Sequence, residues 1–262
     1  MIGLLALAAA SASSCNHVAG AERLWAKPET QWVMVGEMHG TIEMPALFAD
    51  LVCEAAASGR PVTVALEQDA GMQPAIDTFL TSDGGVAART AFLAAPMWSG
   101  KMQDGRASQA MLALYDRLRV MNRAGQIRGV YAFIPTLTSW VGEGPYNALM
   151  ADNLKAIPVG PKGLVLAYMG SVQAAKSSFG QGANLYLPAA ADLPPDRTVS
   201  VYVYENGGNA WNCMQDGCGP HPMQARSAPR GFASSEGLPW RYDWVFELGE
   251  KTSASLPANP VK

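Results

Sequence analysis

The chain has 262 residues, of which 49% are hydrophobic and 16% are charged, and its formal net charge is −3. This composition is typical of one globular domain and is too apolar for intrinsic disorder. The sequence contains no basic run. Because phosphate binding needs clustered lysine or arginine, nucleic acid is excluded as a partner.

Residues 1–14 (MIGLLALAAASASS) form an apolar stretch that ends in small residues. The stretch is typical of a secretory signal segment and is shorter than the roughly 20 apolar residues that span a bilayer. Ala10-Ser11-Ala12 offers a cleavage site, whereas Cys15 offers a lipidated first residue that would anchor the protein to a membrane. Cleavage is favoured, since no leucine stands three positions before Cys15. The sequence therefore predicts an exported or periplasmic protein, with a lipoprotein as the alternative.

The rest of the chain alternates apolar, β-branched runs with segments of helical periodicity. In chain order, the prediction is strand 31–36, helix 43–58, strand 61–67, helix 72–95 (broken at Gly84-Gly85), helix 107–124, strand 128–134, helix 146–156, and strands 163–169, 198–204 and 242–248. We expect strand 242–248 at an edge and residues 251–262 as a loose, disordered tail. The alternation predicts one α/β domain over residues 15–250, with a mostly parallel central sheet and helices on both faces.

The four cysteines fit an oxidising compartment. Cys213 and Cys218 lie close together in a Gly-rich segment, and we predict a disulfide between them with Cα atoms about 5–6 Å apart. The alternative adds His221 to make a metal site, but that site lacks a fourth ligand. Cys53 lies on an apolar helix face, either as a buried thiol or as the disulfide partner of a Cys15 that is retained without lipid.

The segment Gly36-Glu37-Met38-His39-Gly40 follows the first predicted strand, and Glu67 ends the second. Ligands of parallel sheets bind at the carboxyl ends of the strands, so we expect Glu37, His39 and Glu67 around one cleft. An acid beside a histidine provides general acid–base catalysis or holds a divalent metal. The alternative is that Glu37 caps the next helix and His39 is structural.

The series GEMHGTIE and then VALEQD resembles the superfamily of erythromycin esterases, ChaN-type haem-binding uptake proteins and Tiki-type proteases. Trp98, the segment DGRAS at 104–108 and the segment MADNL at 150–154 are most similar to the ChaN-like branch. The resemblance covers residues 30–180 approximately. It implies a hydrolase in which Glu37 or His39 activates water and Glu67 orients it. The alternative that it implies is a binding protein for haem or another small ligand.

Two positions depart from the pattern of that superfamily. Its members often carry a second histidine after the fourth strand, where this chain has Gln173, and an aspartate closing the third strand, where this chain has Ile134. Gln173 forms hydrogen bonds but is a poor metal ligand and no base. His221 is a candidate substitute. A catalytically degenerate homologue is therefore a third interpretation, and a zinc cofactor is not expected.

Candidate contacts to a small-molecule substrate are Glu43, Trp98, Arg106, Gln173 and His221. Two interpretations of the segment around Arg106 remain open. It is either a helix start capped by Asp104 or Ser108, or it places the guanidinium over the site as a fork for a carboxylate or phosphate.

Overall fold

The computed structural model describes residues 15–100, 103–236 and 241–259. The predicted signal segment and its cleavage site lie outside the described residues. Across these ranges, no helix is both long enough and apolar enough to cross a bilayer.

The secondary-structure elements follow the predicted order, with three additional strands and one additional short helix. The strands are β1 Trp32–Glu37, β2 Val62–Asp69, β3 Val130–Ile134, β4 Leu164–Gly170, β5 Thr198–Tyr204, β6 Asn209–Met214, β7 Gly217–Pro222, β8 Gly231–Ala233 and β9 Trp244–Glu247. The helices are α1 Glu43–Ala57, α2 Gln73–Thr81, α3 Val86–Leu93, α4 Gln109–Arg123, α5 Glu143–Ala156 and α6 Ser171–Ala174.

A seven-stranded sheet forms the centre of the domain, with strand order β3-β2-β4-β1-β5-β9-β8. The pairs from β3 to β9 run parallel, and β8 runs antiparallel to β9. Every residue of β1 and β4 is buried, as expected for parallel strands that are covered on both faces. The predicted α/β fold with a mostly parallel sheet is confirmed.

Each face of the sheet packs against its own hydrophobic core. On one face, Val33 and Val35 of β1 pack with side chains of α1, α2, α3 and α4. On the other face, Trp32 and Met34 pack with side chains of α5 and α6. The alternation of side chains along a strand sends neighbouring residues of β1 to opposite faces. The predicted helices on both faces are therefore confirmed.

Two predictions about the C-terminal part of the domain are wrong. β9 is not an edge strand, because β8 pairs with its outer side. The segment after Lys251 is not loose through residue 259, because Thr252 pairs with Gly208, Ala254 with Thr41 and Pro257 with Ser108. Its serine, proline and alanine content gave no sign of these backbone contacts, which form only between distant parts of the chain.

Both possible disulfides are present. Cys213 and Cys218 are directly opposite each other in the hairpin formed by β6 and β7, so their Cα atoms are 3.8 Å apart, closer than we expected. Cys15 bonds to Cys53 of α1. The alternative metal site with His221 is wrong, because both of its thiols are bonded. Two disulfides indicate an oxidising, extracytoplasmic compartment. The bond from Cys15 and lipidation of the same sulfur exclude each other.

Candidate active site

The carboxyl ends of three neighbouring strands bring the predicted residues together. β4 lies between β1 and β2, so that Glu37 is level with Gly170 and Leu66 is level with Tyr168. Glu37 and Glu67 therefore approach each other across the end of β4. Gly170 borders the space between them, since a Cβ placed on it would lie 3.5 Å, an ordinary contact distance, from both Glu67 Oε2 and His39 Nε2.

His39 lies between the two carboxylates. Its Nδ1 is hydrogen-bonded to Glu37 Oε1, and its Nε2 is 3.7 Å from Glu67 Oε2. The two glutamates are buried, whereas the His39 side chain keeps 21% of its surface exposed. This geometry fixes the ring through Nδ1 and presents Nε2 to the cleft.

The charges around His39 decide its protonation state. Burial by itself lowers the pKa of His39, but the charge and hydrogen bond of Glu37 and the charge of Glu67 outweigh it and raise the pKa to about 9. The charge of Arg106 opposes this rise. At neutral pH the ring is therefore an imidazolium, which donates a proton more readily than it accepts one.

Two further partners hold the Glu67 side chain in place. Its Oε2 accepts a hydrogen bond from the backbone N–H of Gly170 at 2.5 Å, and its Oε1 is 3.6 Å from Arg106 Nη1. These partners fix the carboxyl group of Glu67 near the carboxyl end of β2.

Arg106 borders the cleft and is itself held by Asp104, whose Oδ2 accepts from Arg106 Nη2 at 2.6 Å and from Nε at 3.0 Å. Burial raises the pKa of Asp104, but Arg106 outweighs this effect and leaves the pKa below its ordinary value. Ser108 caps α4 by accepting from the Met111 N–H at 3.3 Å. The segment therefore combines the two predicted roles, with Ser108 as the cap and Arg106 at the site.

The floor of the cleft contains Tyr168, which the sequence analysis did not identify. Burial first, and then the charge of Glu37, raise the pKa of Tyr168 well above its ordinary value. Glu37 Oε2 and the Tyr168 hydroxyl lie near each other, but in the described part of the chain neither has a partner with good hydrogen-bond geometry. A tyrosine two residues before Gly170 in an otherwise apolar strand was the available signal for this residue.

The cleft is small and its entrance loop is firmly held. The cleft is lined by Glu37, His39, Gly40, Pro45, Glu67, Gly105, Arg106, Met111 and Tyr168. It has space on the order of a single water molecule. The Gly40 carbonyl accepts from the Trp211 N–H at 2.9 Å and from the Ser255 N–H at 2.8 Å. The hairpin and the C-terminal segment thus hold the loop that carries His39.

Of the other four residues that were predicted to contact a substrate, one reaches the margin of the cleft and three lie away from it. Gln173 reaches its margin, since its Oε1 lies 2.8 Å from a Cβ placed on Gly170. Glu43 accepts from the Ser253 N–H at the surface and does not line the cleft. Trp98 is fully buried in the core, so the expectation that it contacts a substrate is wrong. His221 bonds to Asn212 and Asp216 of its own hairpin and does not replace the missing histidine.

Comparison with known proteins gives a fold but no family. No protein-family model and no curated protein matches the chain. Among solved structures, it is similar to a succinoglycan biosynthesis protein, with 9% identity, a TM-score of 0.66 and coverage of 90% of this chain and 91% of the other. A protein from Bacillus cereus has 11% identity, a TM-score of 0.61 and coverage of 87% and 90%.

An erythromycin esterase also has this fold. A mutant of EreC in its open conformation matches with 10% identity and a TM-score of 0.53, over 92% of this chain and 79% of that one. At these identities the three likenesses show the fold alone. The chain therefore has the fold that its resemblance to erythromycin esterases implied.

Proposed function

We propose that this protein is an exported hydrolase of ester or amide bonds, with Glu37, His39 and Glu67 as its catalytic residues. The observation that carries the proposal is the His39 ring, held between two buried carboxylates at the carboxyl ends of neighbouring strands. A strongly shifted histidine pKa in a cleft is typical of a catalytic site. The erythromycin esterase fold agrees with this proposal but does not carry it.

The charge of His39 and its position between the two glutamates define the roles of the three residues. The Glu67 carboxylate takes a proton from a water molecule as that water attacks the carbonyl carbon of the substrate. The His39 imidazolium then gives its Nε2 proton to the leaving alcohol or amine as the bond to the carbonyl carbon breaks. The proton on Glu67 returns to His39, 3.7 Å away, and restores the resting state. Glu37 keeps His39 charged and oriented through Nδ1.

Arg106 supplies a second positive charge at the cleft, besides the His39 imidazolium. It borders the cleft, and its Nη1 is 3.6 Å from Glu67 Oε1. A fixed guanidinium here stabilises the negative oxygen that develops on the substrate carbonyl. Because Asp104 holds Arg106 on two nitrogens, little reorganisation is needed during the reaction.

The other two interpretations have weaker support. A histidine ligates haem iron as a neutral imidazole, whereas the two glutamates hold the His39 ring that lines this cleft as an imidazolium. The degenerate interpretation rested on the loss of a second histidine at position 173. In the proposed mechanism no step requires that histidine, because Glu67 and His39 supply the base and the acid.

The test is hydrolysis of chromogenic esters by the purified protein and by Glu37→Gln, His39→Gln and Glu67→Gln. We expect each of the three variants to lose roughly 10²–10⁴-fold in kcat. His17→Gln is the matched control, because His17 is exposed and lies outside the cleft.

The pH dependence separates the proposed roles. With His39 as the acid, the rate should fall as pH rises through about 9, where His39 loses its proton. A rate that instead rises through this range would show that His39 is the base. Folded His39→Gln and Glu67→Gln variants with full activity would refute the proposed site.

A further inference from the structure

Apolar side chains, several of them exposed, lie around the start of α5. They are Trp140, Tyr146, Leu185, Tyr186 and Leu187, which we call the aromatic rim. Trp140, Leu185 and Leu187 expose 62%, 58% and 50% of their surfaces. The ring centroids of Trp140 and Tyr146 are 5.2 Å apart. The chain around Tyr186 packs on the same end of α5, since a Cβ placed on Gly144 would lie 3.6 Å from Tyr186 Cβ.

Tyr146 connects the rim to the candidate active site. Burial raises the pKa of Tyr146, the charge of Glu67 raises it further, and Arg106 partly offsets both. These effects require Tyr146 to lie near Glu67 and Arg106, which both line the cleft. One face of Tyr146 thus belongs to the rim and its hydroxyl end belongs to the site.

The composition of the rim indicates what it binds. Residues 135–142 (PTLTSWVG) and 177–188 (SSFGQGANLYLP), which supply the rim except for Tyr146, contain no charged residue. The exposed Glu143 directly follows the first segment, and its charge raises the pKa of both Tyr146 and Tyr186, so the rim disfavours an anionic partner. Exposed aromatic and leucine side chains beside a polar cleft are typical of a site for an apolar ligand.

We propose that the aromatic rim binds the apolar acyl group of the substrate while its carbonyl lies in the cleft. This inference rests on the proposed hydrolase function and narrows the substrate class to esters or amides of apolar acids. Continuity through Tyr146 favours this occupant over a second copy of the chain, which would cover the entrance to the cleft.

The first experiment compares 4-nitrophenyl acetate with 4-nitrophenyl octanoate as substrates of wild type, Trp140→Ala and Leu185→Ser. Loss of one large apolar contact should raise KM for the octanoate ester roughly tenfold. KM for the acetate ester and kcat for both esters should stay near the wild-type values. Val86→Ser is the matched control for Leu185→Ser, since Val86 is 84% exposed on α3. Equal effects on both esters, or none, would overturn the proposal.

The second experiment measures binding without catalysis. Isothermal titration of N-methyloctanamide into wild type, His39→Gln and Trp140→Ala should show weaker binding for Trp140→Ala alone. If neither wild type nor any variant hydrolyses an ester but Trp140→Ala alone binds the amide more weakly, the result supports binding at the rim and refutes the hydrolase function. If Trp140→Ala instead binds the amide like wild type, the proposal is refuted. A wild-type dimer in gel filtration that Trp140→Ala converts to a monomer would likewise refute it, because the rim would then be an interface between copies.

Discussion

The charge of Glu37 should control the protonation of His39, and Glu37→Gln tests this directly. Glutamine has nearly the shape of glutamate and still accepts a hydrogen bond from His39 Nδ1 through its amide oxygen. The substitution therefore removes the charge while keeping the ring in place. Glu67 alone then opposes the effects of burial and Arg106, both of which lower the pKa of His39.

The structure gives the size of the expected effect. The pKa of His39 rises from 6.5 to about 9, and each unit corresponds to about 1.4 kcal/mol. The interactions of His39 with the two glutamates thus stabilise the folded state by at most about 3 kcal/mol. This figure is an upper limit because one-fifth of the His39 side chain is exposed, so that solvent screens the charges. A raised pKa contributes this stability fully below pH 6.5, and it is lost as pH rises through about 9. In Glu37→Gln the pKa of His39 should fall by about one unit or more.

NMR titration of the histidine ring carbons measures this change, and the chain has only three histidines to assign. Glu54→Gln is the matched control, because Glu54 forms the exposed pair with His17 and its loss should leave His39 unchanged. Chemical denaturation between pH 6 and 10 should show a smaller loss of stability in Glu37→Gln than in wild type. A wild-type His39 that titrates near 6.5, or a pKa unaffected by Glu37→Gln, would refute the reasoning.

Two further predictions concern the loop of His39 and the residue at the missing histidine. A Cβ on Gly40 would lie 1.8 Å from the Trp211 carbonyl oxygen at φ +87°, so Gly40→Ala should lose roughly 3 kcal/mol in denaturant unfolding. Gly59→Ala, with φ +83° and open space, should lose only about 1–2 kcal/mol, and equal losses would contradict the clash. Gln173→His should create zinc affinity by adding an imidazole beside His39, whereas purified wild type should carry no stoichiometric zinc. Elemental analysis of both proteins decides this, and stoichiometric zinc in wild type would contradict it.

The sequence by itself determined the class of fold and half of the candidate site. Strands such as 163–169 are short, apolar and bounded by glycine, and helix 107–124 has a single apolar stripe. These local patterns need no knowledge of distant contacts, which is why the alternation of elements was predicted correctly. Glu37 and His39 were found because they lie in one turn. Glu67 was found because the carboxyl ends of parallel strands share one edge of the sheet.

Only the tertiary structure decided which strands are neighbours and what surrounds His39. The insertion of β4 between β1 and β2 brings Tyr168 and the Gly170 N–H to the site. Strand order depends on long-range pairing, which leaves no local pattern in the sequence. For the same reason the packing of the hairpin and the C-terminal segment on Gly40 was missed. The protonation of His39 follows from burial and from the balance of its neighbour Glu37 with Glu67 and Arg106, which distant segments bring to it, so the local sequence alone could not predict it.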